Sequence, residues 1–510
     1  MNNMYRILED SCKKYGDQTA VQFGTHSISY QELKEASDRL ANALIKSGFV
    51  PGDRFGLMLP NTPHFLISYF AILKIGATIV PISIYDKANE IHHQVEDSEV
   101  KGIIYWDKCR QIVHTAIQDL EQCRHRIVLG EMAEHGEIRL PYLMEMHEPL
   151  ESVYETNPDD TALIVYTAGT TGRPKGAELT HQNMLSNIEA LSGFLKLKQG
   201  DSVGSTVPFF LPVGQVLVVG AFLNVGATLI LSSRFEADAV VELIATQKPN
   251  YFVSYPSLLQ ELLSVTEESS PDFSSLDFWM TSGDALKSEV METFESRFNV
   301  PVLEGYGLTE ASSIVSFNVR NRERKPGSIG LPLPGVDIKI VDREDEEVMS
   351  GQVGEIIVKG SNVMKGYLNR PEATKEVIRD GWLYTGDLAQ FDESGYGLIV
   401  ARKKNVIMKS GFSVYPREVE KSLIDHPKIK EAVVVGLPDN LTGEEIHAGV
   451  VLKDDENVTP AEIIDYMKER MAAYKCPKTV FFLLSIPKGP GGRIMRDQVK
   501  QVMLDKLNQH

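Results

Sequence analysis

The sequence predicts an α/β fold: a large N-terminal domain of doubly wound sheets with a small β-rich subdomain, followed by an α+β C-terminal domain. Strand and helix patterns alternate through the first half of the chain, and such β-α-β alternation is typical of mostly parallel sheets. After Lys325 the pattern changes to short strands with turn residues between them. At 510 residues the chain is also too long for one compact core.

The alternation is clearest near the N-terminus. Apolar residues at helical spacing predict a helix over 30–47. The segments that follow predict a strand, a helix and a strand over 54–59, 63–75 and 78–82. The same order of elements is predicted again over 203–233 and 251–278. We therefore expect each of these segments to add parallel strands to a sheet.

The segment 203–233 has no charged residue and is long enough to span a bilayer. However, two prolines and several glycines interrupt it, and Gln215 and Asn224 lie inside it. Breaking and polar residues at this density are not typical of a membrane-spanning helix. We expect a strand, a loop, a buried helix and a second strand at 227–231, and no transmembrane segment.

The C-terminal part of the chain combines strands and helices. Short strands are predicted over 338–341 and 355–358, with a turn at 392–395. The final unit is predicted to hold helices over 416–424 and 460–474, and strands over 432–436 and 449–452.

Composition restricts the partners and the compartment. The chain is 43% hydrophobic and 24% charged, its net charge is −18, and it has no lysine-arginine stripe with interleaved aromatics. Such a surface would repel phosphates, so we expect no nucleic-acid partner. The four cysteines lie far apart without a CxxC spacing, and the N-terminus has no apolar core of signal-peptide length. These features predict a cytoplasmic protein without a disulfide framework or zinc site.

The most informative segment follows the apolar run 162–165 and reads Tyr-Thr-Ala-Gly-Thr-Thr-Gly-Arg-Pro-Lys-Gly over 166–176. Glycines let backbone N–H groups approach a polyphosphate, and hydroxyl groups and a lysine add donors and positive charge. It is not a Walker loop, because Pro174 stands at the position of the second glycine and no Ser or Thr follows the lysine. We expect a different kind of nucleotide-phosphate loop, formed by Thr167, Ala168, Gly169, Thr170, Thr171, Gly172 and Lys175.

Four further motifs follow this loop in order: Glu-Gly-Tyr-Gly-Leu-Thr-Glu at 304–310, Gly-Trp-Leu-Tyr-Thr-Gly-Asp at 381–387, Arg-Lys-Lys-Asn-Val-Ile at 402–407, and Gly-Phe-Ser-Val-Tyr-Pro-Arg-Glu-Val-Glu at 411–420. Over nearly the whole chain they resemble the adenylate-forming superfamily of acyl- and aryl-CoA synthetases, peptide-synthetase adenylation domains and beetle luciferases. The resemblance implies an acid–thiol ligase that uses ATP, Mg²⁺ and coenzyme A. A carboxylate attacks the α-phosphorus of ATP, pyrophosphate leaves, and a thiol then displaces AMP.

The resemblance also implies roles for individual residues. Glu310 matches the glutamate that holds Mg²⁺ on the phosphates, Thr309 the hydroxyl at the α-phosphate, and Tyr306 the ring that faces adenine. Asp387 matches the carboxylate that accepts the ribose hydroxyls, and Arg402 the arginine beside the ribose. The other nucleotide-site positions are Gly283, Asp284, Ala285, Glu304, Gly305 and Gly307, and the expected catalytic residues are Lys175, Thr309, Glu310 and Arg493.

The same resemblance implies a division of the chain. Residues 1–401 would bind ATP and the acid, 402–404 would form a hinge with Lys404 at the hinge position, and 405–510 would form a mobile C-terminal domain. The loop that enters the thiol channel after domain rotation matches Gly411 and Phe412.

One departure from the family pattern affects catalysis. Family members carry Pro-Lys-x-x-x-Gly-Lys near the C-terminus, and the second lysine stabilises the adenylation transition state. Here Arg493 stands in its place. A guanidinium is longer and forked, so it is not equivalent to an ammonium where close placement is needed. An alternative of another class therefore stays open: a protein that binds nucleotide or acyl-adenylate but is impaired in adenylation.

The acid is predicted to be apolar. Where many relatives have a histidine in the pocket, this chain has Leu211 after Phe209 and Phe210. Gly307 matches the position at which acetyl-activating relatives block the pocket with tryptophan, which predicts an open pocket. The motifs favour a medium- or long-chain fatty acid, with an aryl acid of the cinnamate or benzoate type as the alternative. A carrier-protein thiol in place of coenzyme A and a homodimer also stay open.

Overall fold

The structure is a computed structural model that describes residues 3–167, 174–232, 234–265, 271–283, 286–319, 324–410, 412–439, 441–454, 456–489 and 494–508. The chain divides into two compact units, one of residues 1–338 and 358–384 and one of residues 339–357 and 385–510. The domain boundary at 401 and the hinge at 402–404 stay predictions.

The helices follow the apolar periodicity of the sequence. The α-helices are α1 (Arg6–Tyr15), α2 (Tyr30–Lys46), α3 (Pro63–Lys74), α4 (Ala88–Asp97), α5 (Arg110–Ile117), α6 (Leu140–Glu145), α7 (His181–Phe194), α8 (Ala221–Leu223), α9 (Ala237–Gln247), α10 (Pro256–Val265), α11 (Ser288–Phe298), α12 (Pro371–Val377), α13 (Pro416–Ile424), α14 (Pro460–Lys468) and α15 (Arg496–Asn508). A π-helical segment at Gly214–Gly220 precedes α8, and 3₁₀ turns lie at Asp107–Cys109, Thr309–Ala311, Lys403–Asn405 and Ala473–Lys475.

The strands alternate with these helices in the first part of the chain. After α11, more strands follow one another without a helix between them. They are β1 (Thr19–Phe23), β2 (His26–Ser29), β3 (Arg54–Met58), β4 (Thr78–Pro81), β5 (Gly102–Trp106), β6 (His125–Leu129), β7 (Glu137–Arg139), β8 (Thr161–Thr167), β9 (Lys175–Thr180), β10 (Ser202–Ser205), β11 (Thr228–Leu231), β12 (Tyr251–Ser254), β13 (Phe278–Ser282), β14 (Val302–Tyr306), β15 (Ser316–Phe317), β16 (Leu331–Pro332), β17 (Val336–Val341), β18 (Val353–Gly360), β19 (Gly366–Tyr367), β20 (Ile378–Arg379), β21 (Trp382–Phe391), β22 (Gly397–Arg402), β23 (Ile407–Lys409), β24 (Phe412–Val414), β25 (Ile429–Asp439), β26 (Gly443–Leu452) and β27 (Thr479–Phe482).

Two sheets organise the first unit. One has the strand order β16-β15-β14-β13-β12-β10-β11-β1-β2, and the other has the order β19-β9-β8-β4-β3-β5-β6-β7. Their central strands are parallel, as in β10–β12–β13–β14 and in β4–β3–β5–β6. The predicted doubly wound α/β architecture is therefore confirmed. The sheet order also brings β8, β9 and β19 together at one edge.

The N-terminal β-α-β unit shows why these residues fold in this way. Ser29 caps α2 in a reciprocal capping box with Glu32, which satisfies backbone N–H groups at the helix start. α3 begins with Pro63 and is buried along almost its whole length. Its strands β3 and β4 pair in parallel, so the predicted elements between 30 and 82 are confirmed.

The described residues of the uncharged segment, 203–232, fold into the rest of β10, the π-helical segment, α8 and β11. Its apolar side chains are buried among the other elements of the first unit, as for Leu217, Phe222 and Leu229. Among the residues that the structure describes, no helix combines the length and apolarity needed to cross a membrane.

The second unit contains an antiparallel ladder of β25 and β26, with β27 parallel to β26. α13 and α14 cover this sheet through a core that includes Leu423 and Met467. The helix predicted over 460–474 ends at Lys468, so that prediction was too long. The apolar pattern continues past the helix end because Met471 and Tyr474 still pack on the same core.

Candidate active site

The predicted phosphate loop connects β8 to β9. These strands pair antiparallel, and Thr167 at the end of β8 lies opposite Lys175 at the start of β9. We call the paired strands β8 and β9 the phosphate hairpin. The predicted residues Ala168, Gly169, Thr170, Thr171 and Gly172 lie outside the described residues. The structure therefore places the two ends of the predicted loop side by side.

Tyr367 connects two of the predicted site residues. The ammonium nitrogen of Lys175 lies 4.1 Å from the centroid of the Tyr367 ring, within the range of a cation–π interaction. The Tyr367 hydroxyl donates a hydrogen bond of 2.8 Å to Oε1 of Glu310. We call these three side chains the Tyr367 junction. The residues predicted to contact the phosphates and Mg²⁺ are thus joined through a tyrosine that sequence reasoning missed.

Backbone pairing fixes the Tyr367 junction. β19 pairs antiparallel with β9, so that Tyr367 stands opposite Ala177. The N–H of Met364 donates to the carbonyl of Glu310 at 2.8 Å, which ties the same segment to the 3₁₀ turn. Gly366 and Tyr367 form the two-residue strand β19. Its pairing with β9, almost two hundred residues earlier, has no local signal in the sequence.

The Tyr367 hydroxyl acts as a hydrogen-bond donor to the Glu310 side chain. Burial and the Glu310 charge raise the pKa of Tyr367, so its hydroxyl stays protonated and donates. One Glu310 oxygen accepts this bond. The half-buried carboxylate still has a second oxygen to offer to a cation. A single carboxylate combined with nucleotide oxygens is a usual protein contribution to a Mg²⁺ site, so the residues present fit this ion.

The 304–310 segment runs from β14 into a 3₁₀ turn. Glu304 is buried, and its Oε1 accepts the N–H of Leu286 at 3.2 Å. Tyr306 ends β14 half-buried, and its carbonyl accepts the N–H of Val315 at 2.8 Å. Thr309 begins the 3₁₀ turn that contains Glu310. This turn therefore carries the predicted phosphate and metal residues directly beyond the strand that ends at the predicted adenine residue.

Two glycines of this segment lie against neighbouring groups. A Cβ on Gly305 would lie 2.4 Å from the ring of Phe317, its partner across β14 and β15. A Cβ on Gly307 would lie 1.5 Å from the backbone oxygen of Ser313. The direction a side chain would take from Gly307 is therefore filled by this chain's own backbone. A tryptophan there would need a different path for the segment around Ser313.

The predicted adenine strand-turn is described in part. Gly283 follows β13 with φ +95°, and a Cβ there would lie 2.8 Å from the ring of Tyr255. Asp284 and Ala285 lie outside the described residues. Gly283 thus allows the half-buried Tyr255 to pack against the backbone at this turn.

The predicted acyl-pocket residues lie in an aromatic cluster of the first unit. Phe209 is fully buried, and its ring centroid is 5.6 Å from that of Phe65 on α3. Phe210 meets the exposed Tyr85 edge-on at 6.4 Å. Leu211 is half-buried in the turn that leads into the π-helical segment. Phe209 and Phe210 thus have aromatic neighbours, and their role in an acyl pocket stays a prediction.

The predicted ribose residues are brought together in the second unit. Asp387 on β21 and Arg402 at the end of β22 form a cross-strand pair, and their salt bridge is 2.8 Å long. Asp387 is buried, whereas Arg402 is about one-third exposed. Lys404 is exposed in the 3₁₀ turn that follows.

The remaining predicted residues of the second unit are only partly described. Phe412 begins β24, is 55% exposed and packs its ring 4.8 Å from that of Tyr474. Gly411 and Arg493 lie outside the described residues. Their predicted roles in the thiol channel and in adenylation stay predictions.

Comparison with known families matches most of the chain. The family model described as AMP-binding enzyme matches residues 8–368, and the model described as AMP-binding enzyme C-terminal domain matches residues 418–493. A long-chain-fatty-acid–CoA ligase of Bacillus subtilis (strain 168) is 35% identical, over 96% of this chain and 92% of that protein.

Two solved structures extend the comparison to the fold. ATP-bound MatB from Rhodopseudomonas palustris has a TM-score of 0.92 and 28% identity, over 98% of this chain and 99% of that chain. The anthranilate CoA ligase AuaEII in complex with anthranoyl-AMP has a TM-score of 0.92 and 25% identity, over 99% and 98%. The chain therefore belongs to the AMP-binding enzyme family, and it is an adenylate-forming acid–CoA ligase that uses ATP, Mg²⁺ and coenzyme A.

Proposed function

We propose that the chain activates a medium- or long-chain fatty acid and transfers it to coenzyme A. The observation that carries the activation chemistry is the Tyr367 junction, where a cation and a carboxylate are held together beside the phosphate hairpin. The choice of acid is supported by the buried aromatic cluster around Phe209. It is also supported by the Bacillus subtilis relative, which is named as a long-chain-fatty-acid–CoA ligase.

In this proposal the phosphate hairpin and the 3₁₀ turn handle the triphosphate. Lys175 offers a positive charge and Thr167 a hydroxyl at the two ends of the loop. Glu310 would hold Mg²⁺, which neutralises phosphate charge when bound. Thr309 would contact the α-phosphate. Together these groups reduce the repulsion between the triphosphate and an incoming carboxylate.

The acid oxygen then forms a bond to the α-phosphorus while the bond to pyrophosphate breaks. Tyr306 would stack on the adenine, and Asp387 would accept hydrogen bonds from the ribose hydroxyls. A negatively charged carboxylate can bind the neutral ribose hydroxyls without contacting the phosphates, which would repel it. Arg402 holds this carboxylate in place through the salt bridge of 2.8 Å.

The second half-reaction transfers the acyl group. The thiol of coenzyme A attacks the carbonyl carbon of the acyl-adenylate, and AMP leaves with the electrons of the broken bond. We propose that rotation about Lys404 brings the loop at Gly411 and Phe412 to the thiol channel. The exposed ring of Phe412 is available for such a contact.

Arg493 favours a second candidate function. If the guanidinium fails to stabilise the adenylation transition state, the chain would bind ATP and acid, or a ready-made acyl-adenylate, with slow turnover. The retention of Thr309, Glu310, Asp387 and Arg402 supports the enzyme. These residues serve catalysis and nucleotide binding together, and a simple scaffold does not need them.

The test is acyl-CoA formation by the full chain with ATP, Mg²⁺ and coenzyme A. The acids range from acetate to stearate and include benzoate and cinnamate, and mass spectrometry identifies the thioester. The proposal expects the highest kcat/KM with a medium or long fatty acid. A preference for benzoate or cinnamate would overturn the fatty-acid assignment in favour of an aryl acid. Transfer only to a holo carrier protein would overturn coenzyme A as acceptor, and bound adenylate without any thioester would favour the second candidate.

A further inference from the structure

Helix α4 contacts β8 and the residue that directly precedes β9 in the phosphate hairpin. Nε2 of His93 lies 2.9 Å from the carbonyl oxygen of Pro174, on the side of β9. One turn later, Oδ2 of Asp97 accepts a hydrogen bond of 2.8 Å from the hydroxyl of Tyr166 on β8. The rings of His93 and Tyr166 also meet edge-on, with centroids 5.6 Å apart. Two side chains four residues apart on one helix therefore hold both sides of the hairpin.

The chemistry of the two bonds is defined by their partners. The carbonyl of Pro174 can only accept, so Nε2 of His93 carries the proton in this contact. Burial and the hydrogen bond to Asp97 raise the pKa of Tyr166, which keeps the Tyr166 hydroxyl as the donor. His93 is therefore the donor in the first bond, and Tyr166 is the donor to Asp97 in the second.

Asp97 also reaches the segment that carries the Tyr367 junction. Its Oδ1 lies 2.9 Å from a guanidinium nitrogen of Arg370, three residues after Tyr367. An apolar core joins the same elements, because Val95 of α4 packs in one cluster with Ile164 of β8 and Leu368. α4 is thus fixed to the hairpin and to the β19 segment by packing as well as by hydrogen bonds.

We propose that His93 and Asp97 are positioning residues for the triphosphate of ATP. They hold the hairpin in the register that sets Thr167 opposite Lys175. Register matters here because a slip by one residue would turn each strand side chain to the other face of the sheet. Neither residue needs to touch ATP. The proposal rests on the ATP-binding part of the proposed function.

The test uses the full chain and single substitutions at each contact. His93→Leu removes the donor to the carbonyl of Pro174, and Tyr166→Phe removes the hydroxyl that donates a hydrogen bond to Asp97. His93→Gln is the conservative variant, because the glutamine amide can donate from a position similar to Nε2. His92→Leu is the matched control: His92 lies on the same helix and contacts the carbonyl of Ala116 at 2.9 Å, away from the hairpin.

Two measurements separate positioning from general stability. Calorimetric titration with ATP and Mg²⁺ gives the dissociation constant without any acid, and kinetics give KM for ATP and for coenzyme A. His93→Leu and Tyr166→Phe are each expected to weaken ATP binding or raise KM for ATP about three- to tenfold, the usual effect of one net hydrogen bond. KM for coenzyme A should not change. His93→Gln should keep ATP binding close to that of the unsubstituted chain. The double variant His93→Leu/Tyr166→Phe should lose less ATP-binding free energy than the sum of the two single losses.

The outcomes distinguish this proposal from the proposed function. Absence of ATP binding by the unsubstituted chain would contradict the ATP-binding part of the proposed function. Normal binding by that chain with unchanged ATP constants in His93→Leu and Tyr166→Phe would overturn the positioning role. Equal losses for ATP and coenzyme A, or the same ATP loss in His92→Leu, would also overturn it, because both results indicate only general destabilisation.

Discussion

Asp387 and Arg402 face each other across β21 and β22, with Nε of the arginine 2.8 Å from Oδ1 of the aspartate. The aspartate is buried and the arginine is partly exposed. A buried carboxylate needs such a partner, because an unpaired charge away from water is costly. The pair thus gives a charged partner to the carboxylate that the proposed function assigns to the two ribose hydroxyls.

Asp387→Asn is expected to weaken ATP binding about ten- to a hundredfold, since hydrogen bonds to a charged acceptor are worth about 1.5–3 kcal/mol. The measurement is the dissociation constant of ATP, compared with that of inorganic pyrophosphate, which has no ribose. Glu393→Gln is the matched control, because it removes one negative charge from the exposed turn beyond the same strands. Equal weakening for ATP and pyrophosphate would contradict the ribose assignment.

Tyr367→Phe removes the hydroxyl that holds Glu310 and keeps the ring below Lys175. We expect the Mg²⁺ concentration at half-maximal activity to rise about three- to tenfold, because Glu310 loses one positioning hydrogen bond. Activity is measured over a Mg²⁺ titration at saturating ATP. The control is Tyr142→Phe at an exposed tyrosine of the same unit. An unchanged Mg²⁺ dependence would show that the Glu310 carboxylate does not need Tyr367.

Gly307→Ala introduces a Cβ that would lie 1.5 Å from the Ser313 oxygen. The backbone around Ser313 must move, so we expect destabilisation of about 1–3 kcal/mol, as is usual for overpacking, and a large loss of activity. The apparent melting temperature and kcat are both measured. Gly193→Ala is the matched control, because a Cβ on this helical glycine meets nothing within 4 Å. If Gly307→Ala and Gly193→Ala have the same melting temperature, the fold tolerates a Cβ at Gly307, and the predicted destabilisation is wrong.

His181 predicts a pH dependence of stability. It is buried, its Nδ1 accepts the N–H of Met4 at 3.2 Å, and burial lowers its pKa to about 4 from the usual 6.5. The unfolded chain binds this proton at higher pH than the folded chain does. This residue therefore contributes stability above pH 6.5 that is lost as the pH falls from 6.5 toward 4.

His181→Asn keeps an acceptor near the position of Nδ1 but cannot titrate. We expect its melting temperature to fall less steeply with decreasing pH than that of the unsubstituted chain, and only within this window. One proton corresponds to at most about 1.4 kcal/mol per pH unit. Thermal unfolding of both chains in a series of buffers checks this. Parallel pH profiles would show that His181 is not held neutral.

The sequence was sufficient for the features that local patterns encode. The β-α-β units, the strand before the phosphate loop and α13 follow from apolar periodicity and from Gly and Pro positions. Family motifs also indicated Glu310 and Asp387 as candidate site residues, and their roles stay predictions. Neither source predicted the Tyr367 junction or the contacts of His93, because β9 meets β19 and α4 only through the tertiary fold. The close approach of Gly307 to Ser313 likewise depends on a turn that the glycine itself does not reveal.

ATP–pyrophosphate exchange tests the central claim most directly, because it measures adenylation without the thiol step. The full chain and its Arg493→Lys variant are compared across acids from acetate to stearate, with benzoate and cinnamate. The account predicts acid-dependent exchange that is fastest with a medium or long fatty acid, and equal or faster exchange by the lysine variant. Exchange by neither protein with any of these acids would contradict the assignment of the chain as a fatty-acid-activating ligase.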